Sequence, residues 1–338
     1  TLLCFVLQAY FAWFLANVIT KVRLQQFFIT CLLTFSLPLF WRVAFHHYLL
    51  AHFLILAGIY INFSQPPQWH RSWWTLLLSI ALLTNFYVFV MIAALWVGNA
   101  LDCHKRKEVG LRQLGLDIAI SSIILICIMW LSGYFTVGSS HSFESGMYGS
   151  SRLNLVTLFD ANGWSWLQQF LAPNLPSFAK ENYESFHFLG MGGLLLTVFA
   201  LCKLPLLART LWQHALRYRY LFLVVTALTI FAITNSISFG PYQLHIPIPD
   251  LLFTLASILR SSGRMFLPAF YLLLFVLCYF IVRGYSARMA TTILGLAFVI
   301  QVFDSAPGWI STRQFLERTY EQTNPKEAAA VKQQIAQY

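Results

Sequence analysis

Long apolar stretches separated by short polar segments make up most of the chain from its first residue to residue 303. Most of them approach the roughly 17–25 residues with which an α-helix crosses the hydrocarbon core of a bilayer. Pro38 interrupts the second stretch and Asn85 divides the fourth into two apolar halves. Broken helices of this kind are tolerated where they line a cavity or pack against protein. The pattern predicts nine spans, near residues 1–19, 27–44, 48–63, 73–99, 114–136, 188–204, 220–237, 265–283 and 287–303.

The composition supports this interpretation. Of the 338 residues, 58% are hydrophobic, 17% aromatic and only 10% charged, whereas a soluble domain has about 25% charged residues. The mean hydropathy of +0.65 indicates that most of the surface faces lipid, so we predict an all-α polytopic membrane protein. The six cysteines form no CxxC pair, and neither a disulfide framework nor a zinc site is expected.

Lysine and arginine give the chain a net charge of +10, and they concentrate in three connections between predicted spans. Because cytoplasmic loops of membrane proteins are enriched in these residues, the three connections are predicted to be cytoplasmic. No basic stripe alternates with stacking aromatics on a soluble domain, so no nucleic-acid partner is expected. The three connections are residues 104–112, 203–219 and 283–288.

The same count assigns the other long connections to the extracytoplasmic side: the loop 137–187, the loop 238–264 and the residues after 304. Counting back towards the N-terminus also places Lys21 and Arg23 outside, against the rule. We therefore predict that one early span is re-entrant.

Two regions follow from this topology. Residues 1–303 form the predicted transmembrane module, and residues 304–338 have a polar, helical pattern that predicts the start of a soluble extracytoplasmic region. Thr1 lies inside an apolar stretch and no initiator Met precedes it, so further N-terminal spans are expected before it.

The long outer loop contains an aromatic, amphipathic segment, residues 154–171. Such a segment favours a helix lying flat at the membrane surface. Trp164, Trp166 and Phe170 would then be directed inward.

The first candidate site is an arginine pair, Arg260 and Arg264, immediately before the eighth predicted span. On a helix, the four-residue spacing would place both side chains on one face. The guanidinium fork suits phosphate, and Ser261 and Ser262 add donors at a predicted helix start. We predict a lipid-phosphate site here, and the alternative is that both arginines extend to lipid head groups.

A second polar cluster contains Arg42, His46, His47 and His52. The histidines do not have the i, i+4 spacing of a helical metal site, so no metal is predicted here. We expect the cluster to bind a head group or phosphate at the membrane face, and buried, hydrogen-bonded histidines are the alternative.

Four residues are candidates for catalysis. Glu184 and His187, together with Glu181, are spaced close to one face of a predicted helix, and a carboxylate beside a histidine can act as acid or base. Asp160 and Asp304 could bind an acceptor hydroxyl, although capping or solvated carboxylates are the simpler interpretation. No nucleotide-binding motif occurs in a suitable context.

Several strings resemble, in order, a bacterial family of polytopic membrane proteins, the domain of unknown function 6311, whose members look like GT-C glycosyltransferases. The strings are HYLLAHFLILAGIYINF, RLNLVTLFDANG, NYESFHFLGMGGLLL, ILRSSGRMFLPAFYLLL and IQVFDSAP. Where relatives tend to have His-Pro-Tyr, this chain has Asn85, Phe86 and Tyr87. The resemblance covers nearly the whole chain.

The resemblance implies a GT-C-like bundle in the bacterial inner membrane that takes a sugar from a polyprenyl-phosphate carrier on the extracytoplasmic side. Arg260 and Arg264 would hold the lipid phosphate, and Glu184 and His187 would face the same cavity. The catalytic carboxylate of such enzymes usually lies just after the first span, so it is expected before Thr1. Some GT-C enzymes use a divalent cation and others do not, so the resemblance leaves metal dependence open.

The function expected from these observations is transfer of that sugar to an envelope glycan, lipid or protein, with membrane lipids as further partners. A transporter or flippase of a lipid-linked glycan is the alternative, since broken spans and a cationic pocket would serve it too. A membrane O-acyltransferase, with His46 or His47 as base, is a third possibility.

Overall fold

The computed structural model describes residues 1–64, 70–135, 148–171 and 183–323. Its helices are α1 (Leu2–Ile19), α2 (Arg23–Thr34), α3 (Leu37–Phe45), α4 (Phe53–Phe63), α5 (His70–Thr84), α6 (Phe86–Lys105), α7 (Leu111–Leu131), α8 (Trp166–Leu171), α9 (Gly190–Arg217), α10 (Arg219–Ile233), α11 (Asp250–Ser257), α12 (Leu267–Gly284), α13 (Ala287–Asp304) and α14 (Ala306–Thr323). Short 3₁₀ turns cover His47–Leu49, Tyr183–Ser185 and Ser262–Phe266. One antiparallel hairpin joins β1 (Ser236–Phe239) to β2 (Tyr242–His245), with Ser236 opposite His245.

The all-α polytopic architecture predicted from the sequence is confirmed, apart from this small hairpin. Within the described residues, six helices are long and apolar enough to cross a membrane: α1, α6, α7, α9, α13, and α12 together with its preceding 3₁₀ turn. A seventh is counted if α2 and the start of α3, which meet at a bend of 44°, form one broken span. α4, α5 and α10 belong to shorter apolar helices.

The predicted fourth span, 73–99, is instead a hairpin of the two antiparallel helices α5 and α6. Asn85 has an extended backbone that ends α5, and its Oδ1 accepts a hydrogen bond from the Tyr87 N–H at 2.8 Å. Asparagine is a favoured N-cap because its side chain satisfies such an N–H. Trp74 Nε1 donates to Asn99 Oδ1 at 3.0 Å, which joins the two ends remote from the turn.

The basic connections meet at one end of the bundle. Arg106 Nη1 donates to the Arg217 carbonyl at 3.4 Å, and Lys203 Nζ lies 4.7 Å from the centre of the Tyr285 ring. Lys203 belongs to α9, which continues as one helix beyond the predicted end of its span. We call the end formed by the α1–α2, α6–α7, α9–α10 and α12–α13 connections the basic face.

The α1–α2 connection belongs to this face because Gln25 Nε2 donates to the Ala287 carbonyl at 3.0 Å. The prediction that Lys21 and Arg23 lie on the other side is therefore wrong. The prediction treats residues 73–99 as one span, although the chain reverses at Asn85. This difference of one crossing inverts the predicted orientation of every earlier segment.

The outer loop folds onto the bundle rather than lying apart from it. Trp164 is only 6% exposed, with its ring 5.6 Å from that of Trp41 and 5.4 Å from that of Phe186. Its predicted role as a surface anchor is thus wrong, whereas Trp166 and Phe170 are exposed. The Leu153 N–H donates to the Ala232 carbonyl at 2.7 Å, which ties the loop to the end of α10.

Candidate functional site

One carboxylate, Glu184, joins side chains from three distant parts of the chain. Arg42 Nη1 lies 2.5 Å from Glu184 Oε2, and Arg42 Nη2 donates to the Glu184 carbonyl at 2.8 Å. Arg264 Nε donates to Oε2 at 2.8 Å, and Arg264 Nη2 donates to Oε1. His46 Nε2 lies 3.2 Å from Oε1. We call Arg42, His46, Glu184 and Arg264 the arginine–glutamate cluster.

Local structure explains how two of these residues reach the site. Arg42 lies in the last turn of α3, where the bend from α2 and a proline near the helix start redirect the chain. Glu184 lies in a 3₁₀ turn, which is held because Thr157 Oγ1 donates to the Ser185 carbonyl and accepts from the His187 N–H.

Arg264 lies in the 3₁₀ turn before α12, which packs closely on the outer loop through Gly263. The Gly263 N–H donates to the Ser151 carbonyl at 2.8 Å. A Cβ at this position would lie 2.9 Å from the Ser151 oxygen and 3.1 Å from the Ser185 Cβ. The absence of a side chain thus lets the turn carry Arg264 up to Glu184.

The prediction that Arg260 and Arg264 share a helix face is wrong. Residues 258–261 are not helical, so Arg260 is exposed while Arg264 is buried. Ser261 donates its N–H to Tyr87 Oη at 3.1 Å, and the Arg264 guanidinium lies 4.7 Å from the centre of the Tyr87 ring. Ser262 is fully buried.

The second predicted cluster divides in three. Arg42 and His46 join Glu184, whereas His47 is exposed. His52 is fully buried, and its Nδ1 lies 2.8 Å from Tyr271 Oη. Two sites that the sequence suggested separately are therefore one site, and the residue that connects them is Glu184.

Glu184 is an anion at every physiological pH. Burial raises the pKa of its carboxyl, but the hydrogen bond from Arg264 and the charges of Arg42, Arg264 and His46 outweigh that effect and lower it to about 2. Burial lowers the pKa of the His46 imidazole. The Glu184 carboxylate acts in the opposite direction, but the charges of Arg42 and Arg264 lower this pKa further. With His46 neutral, two guanidinium charges and one carboxylate leave the cluster with a net charge of +1.

This pKa difference predicts a stability change in acid. The carboxyl ordinarily has a pKa of 4.5, so its contribution to the free energy of unfolding is complete above pH 4.5 and is lost as the pH falls towards 2. In a His46→Gln background, which removes the imidazole whose pKa Glu184 raises, we expect the stability difference between Glu184 and Glu184→Gln to be constant from pH 7 to about 4.5. Below that it should shrink by roughly 3 kcal/mol. Thermal unfolding of purified protein across this range measures it, and Glu317→Gln, in an exposed pair with Arg313, should track wild type throughout.

His187 has a specific tautomer. Its Nδ1 lies 2.9 Å from the Ser185 carbonyl, and because a carbonyl only accepts, Nδ1 carries the proton and Nε2 a lone pair. Burial lowers the pKa of this imidazole to about 3, although the hydrogen bond to Ser185 acts to raise it. Within the described residues Nε2 has no hydrogen-bond partner. The expected helix face shared with Glu184 is absent, since residues 186–189 are not helical.

The remaining carboxylate candidates accept hydrogen bonds from the backbone. Asp160 Oδ1 accepts from the Asn162 N–H at 3.0 Å, as in an Asx turn. Asp304 Oδ1 accepts from the Leu167 N–H at 2.8 Å near the start of α8. Glu181 lies outside the described residues. Among those that are described, no group of three or more His, Cys, Asp or Glu side chains is arranged to hold a metal ion.

The cluster is accessible from one side. Side-chain exposure rises from 1% at Arg42 through 7% at Arg264 and 11% at Glu184 to 18% at His46. Both Glu184 oxygens accept from arginine, which makes this carboxylate a poor base. Arg264 Nη1, in contrast, makes no hydrogen bond to the part of the chain that the structure describes.

The structure also contains an apolar groove, and some of the residues that line it follow His46 and His52 closely in the sequence. It lies between α1, α4 and α5 and has a volume of about 480 Å³. Aromatic side chains line it, among them Phe11 and Phe53, whose rings stack at 6.3 Å. Phe53 directly follows His52, so the groove starts at the end of α4 that is near the His46–His52 segment.

Residues 1–306 match the model of one protein family, described as Domain of unknown function (DUF6311). The comparison with curated proteins and the comparison with solved structures each find no match.

Proposed function

Because the chain belongs to the DUF6311 family, whose description assigns no activity, we propose its function from the geometry of the arginine–glutamate cluster. The protein is a membrane glycosyltransferase that takes a sugar from a polyprenyl-phosphate carrier. It transfers the sugar to a glycan, lipid or protein acceptor on the side opposite the basic face. By the positive-inside rule that side is extracytoplasmic.

The observation that carries this proposal is the buried Arg264 guanidinium at the non-basic end of the bundle, whose Nη1 makes no hydrogen bond within the described residues. Tyr87, at the start of α6, lies against Arg264, whereas the other end of α6 reaches the basic face. Arg264 Nη1 therefore remains for a second anion beside Glu184. Phosphate suits that role because arginine donates to it through two parallel hydrogen bonds.

The apolar groove supports a lipid-linked ligand over a soluble phosphate. Its aromatic, mostly apolar lining matches an isoprenoid chain, and its volume is within the roughly 300–1,000 Å³ of ligand sites. The groove runs along α4 from Phe53 to Ser64, and the proposal places the head group at the Phe53 end, which follows the His46–His52 segment.

In this function the arginines act on the leaving group. The bond between the sugar C1 and the phosphate oxygen breaks, the acceptor oxygen bonds to C1, and the acceptor hydroxyl releases its proton to water. Negative charge grows on the phosphate as the sugar leaves, and the guanidinium of Arg264 stabilises that charge most in the transition state. Glu184 holds the two guanidinium groups in place and is not the base.

The proposal predicts that recognition depends on the phosphate. Protein in lipid nanodiscs should bind a polyprenyl phosphate at least about tenfold more tightly than the polyprenol of the same length, since charge-assisted hydrogen bonds contribute about 1.5–3 kcal/mol. Native mass spectrometry with the two lipids measures the ratio, and equal affinities would reject the site.

A second assay separates transfer from transport. Proteoliposomes supplied with the sugar-loaded carrier should form glycosylated acceptor. Movement of the carrier between leaflets without product would favour the flippase instead.

A further inference from the structure

A polar groove lies between α5, α6 and α7 towards the basic face, at the other end of the bundle from the arginine–glutamate cluster. Its volume is about 890 Å³. α7 packs only lightly on the bundle, and Ser121 is its one buried residue. Hydroxyl side chains line the wall: Ser72, Thr75 and Ser79 from α5, and Ser121 from α7.

Asn99 points a specific pair of donors at this groove. The side chain is 3% exposed, and its Oδ1 accepts from Trp74 Nε1 at 3.0 Å. This bond fixes the orientation of the amide, because the indole N–H can only donate. Within the described residues the Asn99 Nδ2 group has no acceptor, so a buried, oriented donor is left to a molecule in the groove.

The groove favours a polar occupant. Thr75 Oγ1 lies 2.8 Å from Ser121 Oγ, and Ser79 donates to the Thr75 carbonyl. These hydroxyls are thus partnered, whereas a buried amide N–H without an acceptor is costly. An acceptor in the groove, either water or the polar head of a ligand, would satisfy the Asn99 Nδ2 group.

The chemistry of the wall favours a neutral, hydroxyl-rich head. Two carboxylates line the groove, Asp117 of α7 and Glu108 at the rim, and they disfavour an anionic head. Glu108 accepts from Arg106 Nε and Nη2, both at 2.9 Å. Hydroxyls and an amide can donate to and accept from sugar hydroxyls. Trp96 is half-buried and also lines the groove, and the face of an indole can pack against the C–H side of a pyranose.

We propose that this groove binds the neutral, polyhydroxylated head of a sugar, either free or carried by an amphiphile that enters from the basic face. It is a second site, distinct in position and in charge from the arginine–glutamate cluster. The inference does not depend on the proposed glycosyltransferase activity.

Equilibrium binding to protein in lipid nanodiscs tests this site with radiolabelled dodecyl glucoside as the probe. Unlabelled glucose and dodecylphosphocholine are the competitors. Dodecyl glucoside should bind, and dodecylphosphocholine, which has the same tail and a zwitterionic head without hydroxyls, should not displace it. Competition by glucose indicates a free sugar as the ligand, and its failure indicates a sugar-bearing amphiphile; either result supports the shared chemistry.

Two variants assign the binding to the groove. Asn99→Leu should weaken it by about tenfold, as expected for two neutral hydrogen bonds. Thr75→Val, which keeps the side-chain shape, should weaken it several-fold. Thr291→Val, on an exposed part of α13, is the matched control and should bind as wild type does. Absence of binding to wild type, equal displacement by dodecylphosphocholine, or wild-type affinity in both groove variants would overturn the proposal.

Discussion

Replacing Arg264 with Ala is expected to lower sugar transfer by roughly 10²- to 10³-fold, the loss typical when one preorganised charge-stabilising donor is removed. In the structure this guanidinium binds both Glu184 oxygens and keeps Nη1 clear of the described chain. The protein should still fold, because Glu184 retains Arg42 and His46 as partners. Transfer of labelled sugar from the polyprenyl-phosphate carrier in proteoliposomes is the measurement.

Two further variants separate a chemical role from a structural one. Arg264→Lys keeps the charge but loses the planar fork. Compared with Arg264→Ala, it should therefore recover more of the folding stability than of the transfer rate. Arg313→Ala removes an arginine that is exposed on α14 and paired with Glu317, and it should leave transfer unchanged. Wild-type rates in Arg264→Ala would refute the assigned role of the cluster.

Replacing Glu184 with Leu is expected to lower the free energy of unfolding by about 3–5 kcal/mol, the range found when one partner of a buried ion pair is removed. The change leaves the guanidinium groups of Arg42 and Arg264 close together and without their shared counter-ion. Chemical or thermal unfolding in detergent measures the loss. Glu317→Leu, at an exposed position, should change stability by no more than about 0.5 kcal/mol.

A double-mutant cycle tests whether Glu184 acts through Arg42. Arg42→Leu with Glu184→Leu should cost less than the sum of the two single changes, because the double variant removes both buried charges together. Strict additivity would mean that the two residues are not energetically coupled, and it would contradict the geometry described above.

The sequence predicted the membrane class of the protein because apolar length and low charge are local properties. It failed at Asn85, where one polar residue in a long apolar run permits either a kink within a span or a reversal. Only the contact between Trp74 and Asn99, on opposite sides of that residue, decides for the reversal. The orientation of the early helices depended on this choice.

The candidate site was predicted in pieces for a related reason. Arg42, Glu184 and Arg264 were each singled out, but spacing along a sequence relates only near neighbours. The hydrogen bonds that join them span 142 and 80 residues. The i, i+4 argument for Arg260 and Arg264 assumed a helix where the chain is irregular. The sequence did contain one signal for an internal partner, which is an arginine within an apolar stretch. A buried arginine is rarely left unpaired, and the chain has few acidic residues that could pair with it.

The start of α6 contributes to the candidate site. Asn85 is the N-cap of α6 and Phe86 its first residue. The next residue, Tyr87, contacts Arg264 and Ser261.

The wide separation of the cluster residues along the chain has a consequence for biogenesis. Ribosomes deliver the N-terminal part first, so Arg42 is made 142 residues before the carboxylate that neutralises it. Arg264 follows 80 residues after that carboxylate. The site is thus completed only when α12 is inserted, and a nascent chain that stops before this helix would hold Arg42 and Glu184 without their third partner.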